Sequence, residues 1–306
     1  MESLDVKPFL KWAGGKGQLL EQFENYYPEK LRKGKCKRYV EPFVGGGAVF
    51  FELIKKYCFE EVILNDINED LILSYKVIRD NVNELIENLK NLENSFLELD
   101  TEHRAIMYYN IRNIFNIDKK TLNYKEYNNT WIKHAAHLIF LNRTCFNGLY
   151  RLNKKGEFNV PIGKYVNPGI CNTNNLLNVN KALKNVKLIC GDFENLTDFI
   201  DEDTFVYIDP PYRPINNTSS FNSYQTEDFN DESQKRLADW FRILDCKNAS
   251  LMLSNSNPKN SNPDDNFFDI LYQGYYINEV YASRQINSKS IGRGSISELL
   301  IRNYYN

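Results

Sequence analysis

An α/β fold on a mostly parallel sheet follows from three observations. A strand, a glycine turn, a helix and a second strand succeed one another over residues 38–66, and that order makes a βαβ unit. The apolar run Thr204–Ile208 ends abruptly in Asp209-Pro210-Pro211-Tyr212. Short β-rich runs at Val186–Cys190 and 250–253 resume the alternation after a middle block that breaks it.

Taken in order, Leu19, Leu20 and Phe23 open a helical pattern that Pro28 ends. Residues 38–43 form a strand, Gly45-Gly46-Gly47 open a helix over 48–57, and Glu61–Asp66 is the next strand. A long helical stretch then runs to about Leu92. From Phe96 to Trp131 the pattern loosens and becomes rich in Asn and Tyr, before a helix over 132–141. Residues 146–161 read as a hairpin turning at Asn153-Lys154-Lys155-Gly156. After the strands at 186–190, 204–208 and 250–253, with a helix over 237–244, the tail supplies two closing strands, 276–282 and 296–301, flanking a glycine-containing loop.

The chain has 306 residues, enough for about two domains. Its net charge of −2 announces no polyanion partner globally, but residues 30–38 and 143–164 are basic while 192–203 and 227–232 are acidic. A bipolar surface can hold DNA on one face at near-zero net charge; for 30–38 alone a solvated loop is the better reading. Six scattered cysteines without a CxxC indicate reduced thiols rather than disulfides or zinc. His134 and His137 lack a third ligand nearby and read as packing residues, so no metal is expected. Without a membrane-length apolar run or a signal h-region, the chain is expected to be soluble, cytoplasmic and independent of membranes.

Two motifs carry the chemistry. The double proline cannot extend a ladder and fixes a rigid turn at a strand's carboxyl end, where open α/β sheets bind ligands. Asp209 and the Pro210 carbonyl there would accept both hydrogens of an exocyclic amine, while Tyr212 stacks on the heterocycle that bears it. A proline stop after a core strand is the bland alternative. The glycine turn lets backbone approach a ligand, and Asp66, about twenty residues on, is placed to accept from ribose hydroxyls. Phe50 fills the third glycine position of the dinucleotide motif. A cofactor without pyrophosphate, such as S-adenosylmethionine, fits that departure; an ordinary βα turn is the alternative. Ala13-Gly14-Gly15-Lys16-Gly17 lacks the hydroxyl a phosphate loop needs after its lysine, so Lys16 is expected to meet a carboxylate or a base edge.

With these pieces in order, the chain resembles the Dam-type DNA adenine-N6 methyltransferases. The resemblance rests on KPFLKWAGGK (7–16), VEPFVGGGAVF (40–50), NDIN (65–68), GDF (191–193) and DPPY (209–212). It also covers FNGLYRLNKKGEFNVPIGKY (146–165) and RQINSKSIGRGSISELL (284–300). It implies a Rossmann-like S-adenosylmethionine-dependent methyltransferase sheet, residues 1–75 and 166–306, with an inserted helical and β-hairpin target-recognition domain, 76–165. Trp12, Lys16, Asp66 and Asp209 would line the S-adenosylmethionine site, and Phe43, Asp192 and Phe193 would border its adenosine. Asp209, Pro210 and Tyr212 would be catalytic. Phe146 would wedge into double-stranded DNA, Leu149 and Pro161 would meet thymine-like surface, Arg151 a guanine, and Lys11 and Asn147 would add contacts. Phe146 stands where many relatives have Tyr.

The leading expectation is therefore methylation of a flipped adenine in duplex DNA, with GATC as target. An RNA or protein-glutamine acceptor, or an inactive DNA-binding relative, are the alternatives; the 146–165 segment argues against the first and the intact DPPY with Asp66 against the second. A restriction endonuclease acting on the same site is a candidate partner.

Overall fold

The computed structural model describes residues 5–213, 229–283 and 295–305, and its strands join in one seven-stranded sheet of order β3-β2-β1-β4-β5-β7-β6. The strands are β1 (Arg38–Glu41), β2 (Glu61–Asp66), β3 (Val186–Cys190), β4 (Thr204–Ile208), β5 (Ser250–Ser256), β6 (Tyr276–Ser283) and β7 (Ser295–Arg302). β1 to β5 pair in parallel, and β7 runs antiparallel to both β5 and β6. The chain order reverses between β1 and β4, so a crevice opens at their carboxyl ends. The glycine-containing loop expected between the last two strands, with residues 284–294 of the matched tail, lies outside the described residues.

Period-2 alternation assigns each strand's side chains to one of two cores. In β4, Val206 and Ile208 join Leu237 and Phe241 on one face, while Phe205 and Tyr207 join Tyr39 and Leu64 on the other. All five β4 residues are buried, which is why this strand reads as a continuous apolar run. The helices are α1 (Leu20–Phe23), α2 (Glu29–Arg32), α3 (Ala48–Lys56), α4 (Glu69–Asp80), α5 (Val82–Glu98), α6 (Thr101–Thr121), α7 (Thr130–Thr144), α8 (Thr173–Leu183), α9 (Asp231–Cys246) and α10 (Phe267–Leu271). Among the described residues no helix is long and apolar enough to cross a membrane.

The middle block departs from the sequence expectation in two ways. The long helix after Asp66 is two helices, broken at Asn81 (φ −137°, ψ 41°), whose amide closes α4 on the Val77 carbonyl. The loosened stretch after Phe96 contains α6, a helix of 21 residues that buries only Tyr108, Ile111 and Phe115. Its polar side chains do the binding: Asn116 donates to and accepts from the Phe158 backbone, and Tyr108 and Arg112 donate to the Val160 carbonyl. The 146–161 segment turns at Asn153 as expected, its arms joined by backbone bonds from Asn153 to Glu157 and from Asn159 to Arg151 and by the isolated antiparallel bridges Cys145–Ile162 and Leu152–Phe158. The alternate backbone groups of its outer arm, at 158 and 160, face away and bond to α6.

One buried carboxylate ties this block to the sheet. Asp70, fully buried in the first turn of α4, accepts from Lys119 of α6, from the Tyr124 hydroxyl at 2.6 Å, from His134 of α7 at 2.9 Å and from the Tyr150 hydroxyl at 2.8 Å. Burial pushes its pKa up, but His134 and Lys119 outweigh burial and hold the carboxyl well below the usual range. A buried charge is stable only when its lone pairs are satisfied in this way.

Asp70→Asn is expected to lower unfolding free energy by roughly 3–5 kcal/mol, because it leaves the half-buried Lys119 without its counter-charge and unbalances a fully buried hydrogen-bond cluster. The depressed pKa means that this stabilisation is present above the ordinary aspartate pKa and fades as pH falls below it. Urea midpoints of both proteins across pH 3–7 check this; equal midpoints at neutral pH would contradict it.

Candidate active site

The crevice at the carboxyl ends of β1 and β4 is a cavity of about 640 Å³, lined among others by Trp12, Lys16, Phe43, Asp66, Asp209 and Tyr212. Its floor is the glycine turn. Gly45 adopts φ +47°, and a Cβ there would lie 2.7 Å from the Trp12 ring, so the indole rests directly on backbone. Trp12 in turn stacks on Tyr150 with centroids 5.1 Å apart. Asp66 accepts from the amides of Gly45 and Asn68, each at 3.0 Å, which fixes the acid against the turn. Burial pushes its pKa up to about 6 even though those amides pull it down.

On the opposite wall, the Lys16 ammonium is buried, donates to the Gly14 carbonyl at 2.6 Å and meets Asp209 Oδ2 at 2.7 Å. Asp209 Oδ1 accepts from Ser254 Oγ at 3.0 Å, and Ser254 is bonded to the Tyr207 hydroxyl at 2.8 Å. Burial raises the Asp209 pKa above the ordinary value, with Lys16 and Ser254 opposing. The Tyr212 hydroxyl donates to Glu298 of β7, and its ring lies 4.7 Å from the Lys16 ammonium. Gln234 of α9 donates to the Pro211 carbonyl at 3.1 Å and holds the double-proline turn. Beneath it Glu41, also buried, accepts from the Tyr39 hydroxyl at 2.8 Å, and burial pushes its pKa well up.

A second hollow of about 370 Å³ adjoins the first through Phe43 and is lined by Ile67, Asp192, Phe193 and Arg236. Phe43 and Phe193 pack with centroids 5.5 Å apart, and Arg236 pairs with Asp192 while lying over the Phe193 ring. Side by side, the two hollows offer an acid, aromatic faces and a backbone floor, the mix that receives a mostly apolar ligand with a few fixed polar groups.

The remaining candidates collect on the loop after α7. Phe146 is 52% exposed, and its amide donates to the Pro161 carbonyl at 2.9 Å, so the two stand together at the surface. Asn147 is exposed at φ 57°, Leu149 is half-buried, and Arg151 donates through Nε to Asn159 at 2.8 Å. Lys11 is brought to this loop by Asn142. The buried Asn142 amide accepts from the Lys11 N–H and donates to the Lys11 and Gly148 carbonyls, at 2.9, 2.9 and 3.0 Å. Gly148, at φ +66°, has no room for a Cβ against the Lys11 side chain. The structure thus gathers the cleft residues in one place and the surface residues in another, joined through residues 11 and 12. Sequence reasoning missed Glu41, Asn142, Ser254 and Glu298; the visible signal for Asn142 was one amide inside the apolar run LIFLNRTCF.

A sheet of this order, with a glycine turn after β1, an acid ending β2 and Asp-Pro-Pro-Tyr after β4, is that of a Rossmann-like methyltransferase. Residues 12–286 match the family described as D12 class N6 adenine-specific DNA methyltransferase, and the chain belongs to that family. It is 54% identical over 98% of its length to the whole of type II methyltransferase M.MjaIII of Methanocaldococcus jannaschii. It is 38% identical to type II methyltransferase M1.LlaDCHI of Lactococcus lactis, covering 99% of this chain and 97% of that one. With the DNA adenine methylase of Escherichia coli K12 the identity is 31%, over 96% of this chain and 94% of the relative.

Asn142→Ala is expected to cost about 1–3 kcal/mol in unfolding free energy, since it strands the buried Gly148 carbonyl and removes both bonds to Lys11. It is also expected to raise KM for DNA by separating Lys11 from the 146–148 turn. Chemical denaturation and steady-state methylation check both, and a variant matching wild type in both would remove the anchoring role.

Proposed function

We propose that this chain transfers a methyl group from S-adenosylmethionine to the N6 amine of an adenine everted from duplex DNA at a specific site, with GATC as the leading target. The observation that carries the reading is Asp209, set on a rigid double-proline turn at the rim of the 640 Å³ cavity beside the Tyr212 ring. In this reading residues 1–75 and 166–306 form the catalytic part and 76–165 the target-recognition part.

The residues present suit the donor: a cavity within the usual ligand range, a backbone floor at Gly45, a buried acid at Asp66 and an adjoining aromatic hollow. Trp12, Lys16 and Asp66 would hold it, with Phe43, Asp192 and Phe193 around the adenosine. When bound, S-adenosylmethionine supplies an electrophilic methyl on a sulfonium. The chain does the rest. Asp209 and the Pro210 carbonyl accept the two amine hydrogens and aim the nitrogen lone pair, which is otherwise delocalised into the ring. That pair forms the new N–C bond as the carbon–sulfur pair returns to sulfur. The surplus proton on nitrogen then leaves through Asp209 to water. Tyr212 stacks on the everted base, worth about 1–3 kcal/mol against the few lost on eversion.

Phe146 fills the space the base vacates, Leu149 and Pro161 meet thymine methyls, and Lys11 and Asn147 add polar contacts. Arg151, oriented by Asn159, reads a guanine for about 1–3 kcal/mol of discrimination. The type II names of two relatives favour a role beside a restriction endonuclease with the same target.

Labelled methyl from S-adenosylmethionine should enter unmethylated plasmid, and the product should resist nucleases blocked by adenine methylation at its site. Asp209→Ala is expected to lower turnover by about 10²-fold or more while DNA binding persists; retained turnover counts against the carboxylate's role, and label in RNA or protein alone counts against the whole reading. Cofactor binding should also follow Asp66. Ribose hydroxyls prefer the ionised acceptor, so affinity should rise about tenfold from pH 5 to 7, through the pKa of about 6. Calorimetric titration shows this, and a flat profile would remove Asp66 from the site.

A further inference from the structure

Glu298 has no part in the mechanism above, yet its carboxylate faces the reacting groups. It is carried by the antiparallel strand β7, is 18% exposed, accepts from the Tyr212 hydroxyl, and stands 3.9 Å from the Lys16 ammonium through the same Oε2. Lys16 therefore sits between two carboxylates, bonded to Asp209 at 2.7 Å and facing Glu298. This arrangement poses a conflict. Ser254 and Lys16 each take one lone pair of the two Asp209 oxygens, and a lysine left on Oδ2 beside the incoming amine would place a full positive charge against a nitrogen that becomes cationic as the methyl arrives.

We propose that Glu298 is a positioning residue for methyl transfer: it takes the Lys16 ammonium when the adenine amine engages Asp209, exchanging lysine for substrate on Oδ2. The inference rests on the adenine reading of the preceding section. Three features of the site support it. Lys16 pivots on Gly14, a glycine at φ +76° whose carbonyl it holds, so a small swing carries the ammonium toward β7 without moving the turn. Glu298 keeps the trio of Asp209, Lys16 and Glu298 one negative charge in excess, whereas without it the pair is neutral and offers nothing to a developing cation. Tyr212 links the two events, because the ring that stacks on the base is tethered by its hydroxyl to the carboxylate that receives the lysine. Burial pushes both carboxyls above their ordinary pKa values and Lys16 pulls both down, as expected for two acids sharing one cation.

The test compares wild type with Glu298→Gln and Glu298→Asp. Steady-state kinetics separate kcat from the two KM values, and equilibrium binding in S-adenosylhomocysteine compares duplexes bearing adenine or purine, which lacks the amine, at the target position. Glu298→Gln should lower kcat about tenfold or more, leave KM for the methyl donor within about twofold, and shrink the preference for adenine over purine; Glu298→Asp should recover part of both. A kcat within about twofold of wild type overturns the proposal, as does a lowered kcat with the adenine preference unchanged. Should the glutamine variant not fold, Tyr212→Phe, which keeps the ring and cuts the tether, is expected to lower kcat and the adenine preference in the same direction, and wild-type values for it would overturn the exchange. A wild-type protein that labels no DNA would instead defeat the adenine reading itself.

Discussion

The carboxylate of Asp70 is the constraint on which the arrangement depends. It sits outside the cleft, at the start of α4 just beyond β2, yet Lys119, Tyr124, His134 and Tyr150 all terminate on it. Those residues come from α6, from the α6–α7 connection, from α7 and from the loop after it. A lone buried charge would be intolerable; with every lone pair engaged it becomes a fixed point that an apolar contact could not define as narrowly. Tyr150 passes that fix onward by stacking on Trp12, and Trp12 covers Gly45. The loop after α7 and the glycine turn after β1 are thereby set by one ion.

The sheet divides the remaining work. Reversal of order between β1 and β4 opens the crevice, and the parallel strands deliver Asp66 and Asp209 to its two walls. The antiparallel β7 serves differently. Running against its neighbours, it delivers Glu298 to the same end of the sheet from a strand that comes last in the chain. The six cysteines are all free thiols. What the site supplies is a set of charges and acceptors held rigidly enough that little reorganisation accompanies the reaction.

How much of this was legible depended on how local each signal was. β4 and its double proline announced themselves because a fully buried strand is a continuous apolar run and proline cannot extend it. The glycine turn and Asp66 were legible for the same reason. α6 was not, because Asn116, Tyr108 and Arg112 bind it to backbone at 158–160, and no hydrophobic period records such bonds. The break at Asn81 lay hidden in a pattern whose apolar residues continue on both sides. Asn142 lay in no quoted motif and Glu298 only within the matched tail at 284–300, with no role attached to it: their meaning comes from Lys11 and Lys16, far away in sequence and adjacent only after folding.

That separation bears on how the protein comes into being. Asn142, which clamps Lys11, follows it by 131 residues, and Asn175, which brackets Lys7, follows by 168. Lys16 waits still longer, for Asp209 and then for the final strand. Such long-range closure is slow to nucleate, so these contacts form only after the later elements have folded. A polypeptide cut short before β7 would carry the parallel part of the sheet and yet lack the carboxylate that faces Lys16, so the cleft is complete only once that strand has paired.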